Sequence, residues 1–157
     1  MLRETRNADQ NVCQEEIAMR ATAYFVLFAS LVAVSATAQT PKPRIFFVEP
    51  KAGATVKSPV HLKFGIENYK IAAVPEGTVT KVRPGVGHYH VGIDTGCLPS
   101  GKEIVKGTPS WVHFGKGDSE IDMQLTPGKH RLALQLGDDL HNTVRGLCST
   151  ITVTVAP

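Results

Sequence analysis

The segment GVGHYHVGID, residues 85–94, places His88 and His90 one residue apart within an apolar run. Neutral imidazole is the commonest protein metal ligand. In extended backbone, positions i and i+2 share a face and lie about 6–7 Å apart. Two rings at that spacing can close on one ion, and the nearby Gly87 and Gly92 leave room for it. The alternative is a pair of rings bonded to backbone carbonyls at the edge of a core. Four histidines remain to be weighed. His113 shares a face with Trp111 in WVHF, and His141 closes GDDLH, where a loop can carry it over a sheet end. His130 has the parity of Leu132, Leu134 and Leu136, which favours a buried ring with a hydrogen-bond partner over a ligand. His61 points away from Val60, Leu62 and Phe64 and is expected in solvent. The candidate metal ligands are therefore His88, His90, His113 and His141. Asp94 and Asp138 are candidates for an oxygen ligand, or for a carboxylate that orients a ligating ring.

Three or four imidazoles without a methionine-rich tract suit Cu(II) or Zn(II) better than thioether-bound Cu(I). No G-x-S-x-G elbow, H-E-x-x-H helix or phosphate-cradling glycine loop occurs. An enzymatic reading would rest on a metal-bound hydroxide with Asp94 or Asp138 as base. Nothing in the spacing selects a substrate, so a non-enzymatic role without an organic cofactor is favoured.

The elements that must position these rings read as short strands. RIFFVEP (44–50) is β-rich and stopped by Pro50; PVHLKFGIE (59–67) alternates cleanly. GHYHVGID (87–94), WVHF (111–114), EIDMQL (120–125), KHRLALQL (129–136) and STITVTV (149–155) follow, with Gly/Pro punctuation between them. In the histidine strand, Tyr89, Val91 and Ile93 supply the core-facing side. Residues 68–86 are least regular and read as a long loop or edge excursion. About seven strands with no helical periodicity predict an all-β fold, an antiparallel sandwich of immunoglobulin-like type. A closed barrel is the alternative.

Residues 1–18 are polar and irregular. Met19-Arg20, the apolar run AYFVLFASLVAVS and the triplet Ala36-Thr37-Ala38 then describe a secretory signal peptide over 19–38, cleaved before Gln39. The run is short for a membrane span. Met1 and Met19 are both candidate starts, the latter making 1–18 a non-native extension. One β domain over 39–157 is expected, exported to the periplasm or secreted, with no membrane span after cleavage. The net charge of +3 is spread along the chain, so nucleic acid is not an expected partner. Once Cys13 is set aside with the N-terminal segment, Cys97 and Cys148 form an even pair in an oxidising compartment, and a disulfide is expected.

The motifs RIFFVEPKAGATVKSPVHLKFGI, GHYHVGIDT, HFGKGDSEIDMQLTPGKHRLALQLGD and ITVTV resemble the bacterial family known as domain of unknown function 4399. The resemblance covers almost all of 39–157. It implies an exported, immunoglobulin-like domain with a histidine-bearing face and supplies no activity. That family's pattern carries further histidines near the end of the sixth strand, where this chain has GDDLHNTVRGLC. A weaker likeness, through PGKHRLALQLGDDLH, is to periplasmic copper-resistance sandwich proteins. Export, rather than ligand chemistry, favours copper over zinc. The leading expectation is a periplasmic metal-binding, copper-handling protein. The competing one is a non-catalytic module that offers a histidine and tryptophan surface to an envelope partner.

Overall fold

The computed structural model describes residues 40–157; the expected signal peptide, the 1–18 extension and Cys13 lie outside the described residues. Nine strands follow one another: β1 (Arg44–Glu49), β2 (Thr55–Val56), β3 (Val60–Glu67), β4 (Lys70–Ile71), β5 (Val86–Ile93), β6 (Trp111–His113), β7 (Glu120–Met123), β8 (Gly128–Gly137) and β9 (Thr143–Val155). No helix occurs among the described residues, and none is long and apolar enough to cross a membrane. The fold is all-β.

Two sheets form. The smaller is ordered β1-β3-β7, the larger β2-β9-β8-β5-β4, with β6 also paired to β5. The long ladders are antiparallel, whereas the two-residue pairings β2–β9 and β4–β5 are parallel. This departs from a wholly antiparallel arrangement. Alternation explains which faces are buried. Val60, Leu62 and Phe64 of β3 are buried between exposed His61 and Lys63. Leu132, Leu134 and Leu136 of β8 are fully enclosed, and opposite them in register stand Ile93, Val91 and Tyr89 of β5. These side chains join Ile45, Phe47, Met123 and Val153 in one core fed by both sheets. Phe64 of the smaller sheet meets Tyr89 of the larger at 5.3 Å and Phe114 at 5.2 Å between ring centres.

The other face of β5 carries His88, His90 and Gly92. Beside it in register, β8 presents Gly137, Gln135 and Ala133, and β6 presents His113 and Trp111. The connection from Asp94 to Ser110 covers part of this face. Leu98 and the fully buried Ile104 pack with Trp111 and Ala133 in a second apolar cluster. Several ties hold the connection down, side-chain bonds and a disulfide among them. Leu98 donates its N–H to Gln135 Oε1 and accepts from Gln135 Nε2, each at 2.9 Å. Thr143 Oγ1 donates to Pro99 O. Cys97 and Cys148 are joined, with Cα atoms 6.0 Å apart.

Sequence and structure also differ in how some strands are bounded. The 68–86 segment contains β4, a two-residue edge strand hydrogen-bonded to the start of β5. The last strand begins at Thr143 rather than 149; its first part is irregular, with a register shift opposite β8 and Gly146 at φ 73°, so it lacks the period-two signature. The short β2 has too few residues to alternate at all.

Candidate metal centre

Four imidazoles converge on the covered face of the larger sheet. His88 and His90 come from the centre of β5 and are fully buried. His113 stands directly across from His90 in the β5–β6 pairing. His141 comes from the turn between β8 and β9; both His113 and His141 are half-buried. One nitrogen from each ring lies within 4.8 Å of the others. His113 Nε2 and His141 Nε2 are 3.0 Å apart.

Both nitrogens of His88 and both of His90 have no hydrogen-bond partner among the described residues. An unpaired buried polar group costs about 1–3 kcal/mol, so four such atoms side by side are not a neutral packing choice. Nor are the rings held in their charged form. Burial, then the neighbouring His113 and His141, push His88 down to about 3. Burial, then His88, push His90 down to about 2. Burial is also the main reason His113 and His141 are lowered, with the Lys106 ammonium adding to it. Four neutral rings offer lone pairs at neutral pH, the protonation state a cation requires of its ligands.

The backbone makes space for these rings at two glycines whose φ is ordinary. A Cβ on Gly137 would lie 2.6 Å from His90 Cε1 and 3.0 Å from its Nδ1. A Cβ on Gly115 would collide with the ring of His113. Neither glycine is needed for a left-handed turn, so the room for imidazole is what these positions provide.

The turn that brings in His141 is organised by Asp138. Its Oδ1 accepts from the N–H of Leu140 and of Asn142, each at 2.9 Å, while its carbonyl accepts from His141 N–H at 2.8 Å. His141 itself sits at φ 66°. Asp138 thus shapes the loop through the backbone, and its carboxylate is not among the converging ligand atoms. Asp94 also departs from expectation. The strand ends at Ile93 and Asp94 turns to φ 53°, which breaks the period-two parity that put it beside the two histidines. Its carboxylate instead meets His130 Nδ1 at 3.0 Å and accepts from Arg131 N–H at 3.1 Å. His130 is buried, its Nε2 is 2.8 Å from Thr126 O, and these contacts raise its pKa, the Thr126 carbonyl foremost. His61 is exposed and pairs with Asp122 at 2.8 Å.

Sequence reasoning missed Asp139 and Arg83. Asp139 is 2 % exposed, and Arg83 grips its carboxylate through Nη2 at 2.6 Å, Nε at 2.9 Å and its own backbone N–H at 2.9 Å. Arg83 also donates to Ala73 O, which ties both ends of the 73–83 segment to the β8–β9 turn. The guanidinium holds the Asp139 carboxyl below its usual range, and that negative charge acts favourably on the nearby His88. GDDLH shows two adjacent acids and no sign of which one is buried; the partner is 56 residues away.

A model of the family described as Domain of unknown function (DUF4399) matches residues 62–156, a span that holds all four converging histidines and both bridged cysteines. No curated protein matches the chain. Among solved structures, the endo-beta-1,4-mannanase from Thermotoga petrophila is similar at a TM-score of 0.45 and 16% identity, over 77% of this chain and 21% of that one. The chain therefore spans well under two thirds of that protein.

Proposed function

This chain belongs to the Domain of unknown function (DUF4399) family, which assigns no activity, and from the site itself we propose an exported protein that binds one transition-metal ion. His88, His90, His113 and His141 are the ligands, and the role is binding or handling of the ion rather than catalysis. The single observation that carries this reading is the convergence of four imidazoles, two of them with buried nitrogens that lack any partner among the described residues. The bridge between Cys97 and Cys148 and the signal-like residues 19–38 support a periplasmic or secreted location. Residues 39–157 are the exported unit, and we read the two sheets around one core as an immunoglobulin-like β-sandwich. The ligand set admits Cu(II) or Zn(II).

Calorimetric titration of the protein with Cu(II) and with Zn(II) tests this. One ion should bind the wild type, and His88→Ala/His90→Ala should abolish binding. Unaltered affinity in that variant would refute it. A second reading, docking of an envelope partner without metal, draws on an open groove of about 540 Å³ lined by Val112, His113, Phe114, Lys116 and Ile121. It expects no metal-dependent rise in Tm. A tight ion at 100 times its Kd should stabilise the native state by about 2.7 kcal/mol.

A further inference from the structure

The ring centres are separated by 4.6 Å (His88–His90), 4.9 Å (His88–His113), 5.0 Å (His88–His141), 5.1 Å (His90–His113), 5.7 Å (His90–His141) and 4.7 Å (His113–His141). Four rings around one ion allow two regular arrangements. With nitrogens about 2.0–2.1 Å from the ion, a tetrahedron puts every pair of centres about 5.2 Å apart. A square plane of the same bond length gives four distances of about 4.5 Å and two diagonals of about 6.4 Å. The observed longest pair, His90–His141, is 5.7 Å, and in a square its opposite pair would be equally long. That opposite pair, His88–His113, is 4.9 Å. The ring centres are spaced as in a slightly distorted tetrahedron and not a plane; the ligand nitrogens, all within 4.8 Å of one another, draw in to about 3.3 Å when they close on one ion.

We infer that these four rings form a closed, near-tetrahedral centre whose suited occupant is Zn(II), with no coordination position left for a substrate. The inference rests on the metal-binding reading and narrows it. Zn(II) has no geometric preference of its own and accepts four nitrogens in a tetrahedron. Cu(II) stands above Zn(II) in general ligand affinity but prefers a tetragonal field. Flattening this set would require ring movements that the seats resist. His90 lies against the backbone of Gly137, His113 lies over Gly115, and His88 and His90 are fixed on a strand bonded along both edges. Asp94 and Asp138, the two carboxylates expected from the sequence as oxygen ligands, are engaged elsewhere. A full set of protein ligands is the mark of a structural or storage site, whereas hydrolytic sites keep one position for water.

Co(II) reports coordination number by the intensity of its visible spectrum. Titrating the protein with Co(II) should give the strong visible bands of a four-coordinate ion at one equivalent, bleached stoichiometrically by Zn(II). His113→Ala, at the half-buried rim of the site, should weaken Co(II) binding by about 100-fold and lose those bands, with the melting curve confirming that the variant is folded. Weak bands of a five- or six-coordinate ion, or an unchanged spectrum in His113→Ala, would overturn the tetrahedral inference while metal binding stood. Failure of the folded wild type to bind Co(II), Zn(II) and Cu(II) alike would remove the metal-binding reading beneath it.

Discussion

At the scale of the residue, the site depends on neutral rings and on space left beside them. Gly137→Ala should act on binding without touching a ligand. The added methyl displaces His90, so metal affinity should fall about 10–100-fold, as when a ligand's support is disturbed. Overpacking should lower stability by about 1–3 kcal/mol. Calorimetry and thermal melting check the two effects together. The depressed histidines also set a pH dependence for the metal-free protein. His88 and His90, at about 3 and about 2, stay neutral in the fold, whereas an unfolded histidine takes up a proton near pH 6.5. The unfolded state therefore binds more protons as pH falls below 6.5, and stability is lost in that direction. By pH 5 the loss is about 2 kcal/mol for each ring. His130 works in the opposite sense: its raised pKa contributes stability below 6.5 that is lost as pH rises through its folded value. Urea unfolding at pH 7.5 and pH 5 should show the net fall, because the lowered histidines outnumber the raised one. His88 and His90 were legible as a pair because His-x-His on a strand shares a face, whereas His113 and His141 had only their places on a short strand and at a loop to mark them. Asp94 was misread because one residue at positive φ ends the parity rule.

At the scale of the element, β5 is the organising strand, and its two faces were readable from alternation alone. Long strands with period-two patterns were found at nearly their observed limits, β3 and β8 most clearly. What escaped has a common physical cause. β2 and β4 are two residues each, and the start of β9 is irregular, so none shows a period. The Arg83–Asp139 pair escaped because only the fold joins a loop arginine to a turn aspartate. That pair makes its own prediction. Arg83→Ala leaves the buried Asp139 carboxylate without its counter-charge and should lower Tm and loosen the 73–83 segment. Adding Asp139→Asn removes the stranded charge and should recover part of the loss. Melting curves of the single and double variants decide it: equal Tm values would mean that the ion pair is not what secures the segment.

At the scale of the whole molecule, the bridge and the histidine cluster lie on the same face of the larger sheet. The bridge joins residues 51 apart, one in the connection over the larger sheet and one in β9. Opening it should cost about 4 kcal/mol in the chain-entropy model. Reduction under native conditions, or Cys97→Ser/Cys148→Ser, should therefore depress Tm. The 94–110 connection should then show faster amide exchange than β3 or β8, whose core contacts are on the other side. One strand turns Tyr89 and Val91 toward the interior and His88 and His90 toward the ligand cluster. A slide of β5 by a single residue would exchange these assignments, burying imidazole in hydrocarbon and dispersing the nitrogen donors. Retention of an ion after refolding would thus certify correct strand alignment, and a mispaired chain would declare itself by failing to keep one.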